Sequence, residues 1–153
     1  AGECLAAAAR GELVVELVAD GVHLADETTT MVFDLVGADN VALVTDAMAA
    51  TGMADGEYVL GGLGVSVHAG VARLAEGGAI AGGTSHLLDV VRRTVQLGVP
   101  LEDAVRAASL TPAAVLGRPD LGALEEGRLA DVLVACPDLR VREVYRDGVR
   151  VVG

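Results

Sequence analysis

Two long apolar runs in the first half of the chain are each followed by polar or small residues. Residues 13–19 are apolar except for one glutamate and lead into Asp20, and residues 41–44 are wholly apolar and lead into a threonine and Asp46. Between these runs, residues 28–36 carry apolar side chains at i, i+1, i+4 and i+5, and a glycine follows them. The pattern predicts a strand, a helix and a second strand, with both strands parallel in one sheet.

The second half of the chain changes pattern. Apolar residues alternate with small or polar ones over residues 57–74, which predicts a β-hairpin or small β insertion, and the glycine-flanked residues 77–83 predict a loop. Residues 130–152 predict two or three strands, the last pair joined at Asp147-Gly148, a strong hairpin dipeptide. Helical spacing bounded by proline, threonine or glycine predicts helices over 84–97, 101–109 and 112–116.

Composition narrows the classes of protein that fit this pattern. The 153 residues are 52% hydrophobic with 20 glycines, which excludes a disordered chain and is typical of a parallel α/β core. The net charge of -11 argues against a nucleic-acid partner, because phosphates would be repelled. No apolar run reaches the roughly 18 residues of a membrane span, residues 1–12 have no basic signal-peptide start, and Cys4 and Cys136 form no paired motif. We therefore expect a cytoplasmic protein.

Polar side chains at the ends of the two predicted strands are the candidates for chemistry. Asp20 and His23 follow the first strand, and Asp46 follows the second. The carboxyl ends of parallel barrel strands carry the active site, so these side chains are expected to meet there. The alternative is that Asp46 caps a following helix. The small residues 47–52 form no amphipathic pattern, which favours the site.

Several segments also resemble a known family, in order and spacing, from about Leu13 to the end of the chain. They are "ADGVH", "LVTDAMAATG", "GEYVLGGL", "GVARL", "IAG" and the tail "LTPAAVLG" with "LGALEEGRLADVLV". Together they are similar to the C-terminal part of the N-acetylglucosamine-6-phosphate deacetylases, within the amidohydrolase superfamily. The tail resembles many amidohydrolases, including dihydroorotase-like and aminoacylase-like enzymes, whereas the first two segments are the specific part. A hydrolase of N-acyl amino acids or cyclic amides therefore stays open as an alternative.

The resemblance implies a fold of the α/β class. Residues 1–129 would be the C-terminal part of a (β/α)8 TIM-like barrel, with the insertion at about 57–74, and residues 130–153 would be strands of a small β-sandwich domain. A full barrel takes roughly 250 residues, so we expect this chain to be the C-terminal portion of a longer enzyme. Alone it should be inactive, with its apolar strands covered by the missing N-terminal half or by a second copy in a homo-oligomer such as a dimer.

The resemblance also implies roles for individual residues. Asp46 would be the catalytic base that takes a proton from a water bound to a divalent metal ion, zinc or similar, and later returns it to the leaving amine. The metal ligands would lie upstream, with none in this chain. The substrate would be a small amino-sugar phosphate. The residues implied to contact it or shape its loop are Asp20, Gly21, Val22, His23, Ile80, Ala81 and Gly82.

The other polar residues have simpler interpretations. Gly83, Ser85 and His86 depart from the family's usual residues after "IAG", which bears on how the loop meets a substrate. His68 is expected to be a solvated strand residue, and a zinc site of His23, His68 and His86 matches no compact ligand spacing. Arg73, Arg92, Arg93 and Arg106 are expected on solvated faces. A non-catalytic module that keeps the scaffold is the alternative to an enzyme.

Overall fold

The computed structural model describes residues 2–152, so the outer limits of the two predicted domains, residues 1 and 153, lie outside the described residues. The chain forms helices and strands in the order α1 Gly2–Ala9, β1 Val15–Leu17, α2 Asp26–Val36, a 3-10 turn Ala38–Asn40, β2 Val41–Leu43, β3 Gly56–Leu60, β4 Leu63–His68, β5 Val71–Leu74, α3 Leu87–Gln96, α4 Leu101–Ala108, α5 Leu110–Val115, β6 Val132–Ala135, β7 Val141–Arg146 and β8 Val149–Val152.

The first two strands pair in parallel, as the apolar runs predicted. Val15 lies opposite Val41 and Leu17 opposite Leu43, with α2 as the connection between the strands. Helix α2 begins two residues before the predicted Thr28, and Gly37, with φ of 79°, ends it as predicted. Within residues 2–152 this sheet has only these two strands.

The faces of this sheet are covered by the chain itself to a greater extent than the sequence suggested. Leu17, Val41 and Leu43 are buried, and Val14 is half-buried. The expectation that all of these side chains need cover from another chain is therefore wrong for the first three. The cover comes from α2, α3 and α4, whose buried side chains include Val32, Phe33, Val36, Val90, Val91, Ala104 and Ala107.

Residues 56–74 form the predicted β insertion as a three-stranded antiparallel meander, in the order β3, β4, β5. It has a small core of its own, built on Val65, Val67 and Ala72. Met48 and Ala81 pack into this same core. The insertion therefore supports both the segment that follows Asp46 and the loop predicted over residues 77–83.

The remaining elements match the predicted pattern with shifts at their ends. Helix α3 begins at Leu87 because His86 and Asp89 form a reciprocal capping box. Helix α5 includes Thr111, which was predicted to cap it; the Thr111 hydroxyl instead donates to the Ala38 carbonyl at 2.9 Å. The sequence pattern did not predict α1.

The C-terminal strands form a second antiparallel meander, in the order β6, β7, β8. Asp147 and Gly148 join the last two strands with φ of 49° and 75°, the left-handed pair that a two-residue hairpin requires. Apolar side chains on this sheet remain open to solvent, among them Val149, which is 66% exposed. An apolar groove of about 770 Å³ separates the sheet from α3 and α4.

Across residues 2–152, we find no helix with the length and apolar character to cross a bilayer.

Candidate functional site

Asp46 follows β2 at the carboxyl end of the parallel pair. Its φ of 49° lies in the left-handed region, which aspartate tolerates better than most residues. Ala47 forms a β-bridge with Gly83, residues 49–52 are turns and no helix follows Asp46 before β3, so the alternative in which Asp46 caps a helix is wrong. The Asp46 side chain is 62% exposed. A strand end thus presents an accessible carboxylate.

Asp20 organises the loop at the end of the neighbouring strand. One of its carboxylate oxygens, Oδ1, accepts the backbone N–H groups of Val22 and His23, each at 2.9 Å. The other, Oδ2, lies 2.9 Å from Nδ1 of the His23 ring. Only 2% of the Asp20 side chain is exposed. With both oxygens turned into its own loop, Asp20 shapes the loop and has no free face for a ligand.

The surroundings of Asp20 lower its pKa below that of an ordinary aspartate. Burial is the largest single influence and acts to raise the pKa, since it removes the carboxylate from water. The two backbone N–H groups and the His23 ring together outweigh it, because they bind the ionised form. Asp20 is therefore a fixed negative charge near neutral pH.

His23 connects the two strand ends. Its ring is held on one side by Asp20, and its other nitrogen, Nε2, lies 3.4 Å from Oδ2 of Asp46. That separation is too long for a strong hydrogen bond, but it makes the two groups neighbours. The His23 side chain is 19% exposed. The structure thus brings Asp20, His23 and Asp46 together in one line, as expected from their places at the strand ends.

The loop over residues 80–83 closes against Asp46 from the other side. The Gly83 N–H donates to the Asp46 carbonyl at 2.6 Å, and the Gly83 carbonyl accepts from the Met48 N–H at 3.0 Å and the Thr51 hydroxyl at 2.9 Å. A Cβ on Gly83 would lie 2.0 Å from the Thr45 carbonyl oxygen. Glycine is required here because the two backbones touch.

Three residues of this loop were predicted to lie along a substrate. Ile80 is 36% exposed, whereas the Ala81 side chain is buried in the core of the insertion and its N–H donates to the Ala72 carbonyl. Gly82 has φ of 86°, and a Cβ there would lie 3.0 Å from the Asp46 carbonyl. The structure therefore places Gly82 at Asp46, with Ile80 open to solvent and Ala81 serving as an anchor.

Arg93 is a residue of the site that sequence reasoning missed. Its guanidinium fills the space where a Gly21 side chain would be, 2.3 Å from a Cβ built there, and it pairs with Asp26 at 2.6 Å. Its Nε is buried and finds no hydrogen-bond partner among residues 2–152. The Arg93 side chain is 38% exposed, so the predicted solvated face is confirmed in part, while its buried portion supports the loop that holds His23. The glycine at position 21 was the only hint in the sequence.

The other two histidines lie apart from this line. His68 ends β4 and is exposed, as predicted. The His86 ring packs against Gly52, where an added Cβ would meet Nε2 at 2.9 Å. Within residues 2–152, no three His, Cys, Asp or Glu side chains come together in a way that could hold a metal ion. The described residues therefore do not fit a metal centre of their own.

Comparison with known proteins agrees with this geometry. Residues 5–151 match the profile of the Amidohydrolase family. The chain is 39% identical over 136 residues to N-acetylgalactosamine-6-phosphate deacetylase of Escherichia coli O157:H7, covering 88% of this chain and 36% of that protein. It is 38% identical to N-acetylglucosamine-6-phosphate deacetylase of Vibrio furnissii, with 88% and 34% covered. A shorter Escherichia coli K12 relative, whose name includes N-acetylgalactosamine-6-phosphate deacetylase, is 39% identical and 80% covered.

A solved structure shows the same fold. It is N-acetyl-D-glucosamine-6-phosphate deacetylase from Mycobacterium smegmatis, an aspartate-to-alanine mutant in complex with N-acetyl-D-glucosamine-6-phosphate. The TM-score is 0.91 at 42% identity, with 97% of this chain and 40% of that chain covered. The chain spans little more than a third of the length of the two longer relatives and of this structure. The family match and the strand-end arrangement agree, and the chain belongs to the amidohydrolase family.

Proposed function

We propose that this chain is the C-terminal portion of a deacetylase of amino-sugar phosphates, which hydrolyses the N-acetyl group of N-acetylglucosamine 6-phosphate to glucosamine 6-phosphate and acetate. The observation that carries the proposal is the accessible Asp46 carboxylate at the end of β2, 3.4 Å from Nε2 of His23. The relatives at 38–39% identity are deacetylases of N-acetylated hexosamine 6-phosphates, which supports this substrate class.

Asp46 is the group that moves protons in this proposal. Its carboxylate takes a proton from the attacking water as the water oxygen bonds to the amide carbon. The same proton then passes to the amine nitrogen as the C–N bond breaks, so Asp46 ends ionised and ready for another cycle. An exposed carboxylate suits this role because it accepts hydrogen bonds and reaches solvent.

The substrate would lie between the two strand ends and the 80–83 loop. His23 would line the site of the sugar phosphate beside Asp46, with Nε2 as the ring nitrogen that Asp20 leaves free. The backbone of Gly82 would lie along the sugar because it approaches Asp46, and Ile80 would lie along it because its side chain is open to solvent. Asp20, Gly21 and Val22 would act through the loop, and Ala81 would anchor the opposite wall.

The rest of the enzyme would come from outside this chain. The described residues hold no metal centre, so a divalent metal, if the family's chemistry applies, would take its ligands from another segment. The same segment, or a second copy, would cover the exposed apolar side chains of the β6–β8 sheet, which we assign to a small β-sandwich domain. This chain alone would be inactive, and the intact protein would act in the cytoplasm.

Acetate release by the full-length protein tests the proposal. We expect hydrolysis of N-acetylglucosamine 6-phosphate or its galactosamine isomer to exceed that of N-acyl amino acids and cyclic amides by at least about 100-fold in kcat/KM, since a site built on polar contacts rejects substrates that lack those groups by up to roughly 10⁴ to 10⁵-fold. The four substrates would be compared at equal concentration with the metal content measured. Preference for N-acyl amino acids would make a different amidohydrolase the better account. No turnover of any of them would favour a non-catalytic module.

A further inference from the structure

Asp20 presents a carboxylate whose two oxygens have separate tasks. Oδ1 holds the loop through two backbone N–H groups, while the imidazole Nδ1 of His23 is the one hydrogen-bond partner of Oδ2 in the described part of the chain. A carboxylate accepts hydrogen bonds and cannot donate when ionised. The Nδ1 atom of His23 must therefore carry the hydrogen in this contact.

The consequence falls on the other ring nitrogen. If Nδ1 always keeps its hydrogen, the ring can gain or lose a proton only at Nε2. Nε2 is also the atom that lies 3.4 Å from Oδ2 of Asp46. The ring therefore exchanges protons on the side where the candidate base lies, and on no other side.

We propose that Asp20 is a positioning residue that confines the exchangeable proton of His23 to Nε2, so that His23 and Asp46 work as a coupled pair. The role of this pair in turnover rests on the proposed function, whereas the tautomer of the His23 ring does not. When Asp46 has taken the proton of the attacking water, its O–H can donate to the Nε2 lone pair. The proton stays on Asp46 in that hydrogen bond until it passes to the amine nitrogen.

The geometry of the loop allows a variant that separates this role from loop stability. In Asp20→Asn, the amide oxygen can still accept the Val22 and His23 N–H groups, while the amide NH2 takes the place of Oδ2. An NH2 group donates, so it pairs with a bare Nδ1 and moves the hydrogen to Nε2. The variant should therefore keep the loop and invert the tautomer.

A matched control is available at the edge of the insertion. Asp55 also accepts two backbone N–H groups, from Ala69 at 2.5 Å and Gly70 at 3.1 Å, but no imidazole contacts it. Asp55→Asn repeats the chemical change at a loop aspartate of the same kind. It should leave the ring of His23 and the turnover of the intact enzyme unchanged.

Nitrogen-15 NMR of the ring nitrogens at alkaline pH, where imidazoles are neutral, tests the proposal directly. The chain has three histidines, and His23→Gln assigns the relevant resonances. We expect the Nδ1–H tautomer in the wild type and in Asp55→Asn, and the Nε2–H tautomer in Asp20→Asn. An Nε2–H tautomer or an even mixture in the wild type would by itself overturn the proposal. An unchanged tautomer in a folded Asp20→Asn variant would overturn it as well.

Kinetics of the intact enzyme then test the coupling. Asp20→Asn should lower kcat at least about tenfold with KM changed much less, since changes that give a working imidazole the wrong tautomer, or remove the partner that orients it, cost from tenfold to far more. Equal kcat in the two variants would show that the tautomer is set but unused, and would overturn the coupled pair. If the tautomer inverts and the wild type hydrolyses no amino-sugar phosphate, the proposed function fails while the assignment of Asp20 stands.

Discussion

Gly83→Ala is the most direct perturbation of the site that leaves its charged groups untouched. Gly83 has no left-handed φ, so alanine brings no backbone strain and the effect is steric. The new Cβ would lie 2.0 Å from the Thr45 carbonyl oxygen, a distance that no side-chain rotation can relieve because the contact is with backbone. The two segments must separate.

The cost follows from the bonds that this separation breaks. Gly83 donates to the Asp46 carbonyl and accepts from Met48 and Thr51. Three hydrogen bonds at about 0.5–1.5 kcal/mol each give a loss of roughly 1.5–4.5 kcal/mol in the free energy of unfolding. Because the Asp46 backbone shifts when its hydrogen bond to Gly83 breaks, kcat should also fall, by about 100-fold for a displacement on the order of 1 Å.

Urea denaturation and acetate release by the intact enzyme measure the two effects. The matched control is Gly64→Ala, since Gly64 also has no left-handed φ and an added Cβ would meet the Ala75 side chain at an ordinary 3.4 Å. We expect the control to change stability by less than about 0.5 kcal/mol, as surface substitutions do. If Gly83→Ala matched the control in both stability and kcat, the close approach of the loop to Asp46 would be refuted.

Three further predictions concern the two strand ends. Asp46→Asn keeps the shape but removes the base, so kcat of the intact enzyme should fall by about 10² to 10⁴ with KM little changed; near-normal turnover would contradict the assigned role. Gly21→Ala should destabilise the chain more than Gly11→Ala by at most about 1 kcal/mol, because both glycines have similar φ, 77° and 74°, but only the first would displace the flexible Arg93 guanidinium from its partly exposed ion pair with Asp26. Chemical denaturation of the two variants gives the difference, and equal losses would exclude Arg93 as the support of the loop. Because the pKa of Asp20 is lowered in the folded state, its stabilising contribution is present above the unfolded aspartate pKa of about 3.9 and is lost as the pH falls through the lower folded value. The difference in the free energy of unfolding between wild type and Asp20→Asn, from urea titrations at pH 7 and pH 3, should therefore be smaller at pH 3. A larger difference at pH 3 would contradict the lowered pKa of Asp20.

The sequence alone determined the local elements and the position of the candidate base. The apolar runs before Asp20 and Asp46 predicted the parallel pair β1 and β2, because a strand covered on both faces has no polar alternation. The pair Asp147-Gly148 predicted its hairpin because few residues tolerate two successive left-handed φ values. These are properties of neighbouring residues, so they can be inferred without the fold.

Only the tertiary structure decided what each candidate does. The resemblance implied only that Asp20 contacts the substrate or shapes its loop, and packing decided its surroundings by burying it and turning both of its oxygens inward. Arg93 looked like a surface residue, yet it meets Asp26, 67 residues earlier, beneath the loop at Gly21. The approach of Gly83 to Thr45 and Thr51 likewise depends on how the insertion folds back on β2. Such contacts are set by the angles at which distant elements pack, and sequence periodicity carries no information about those angles.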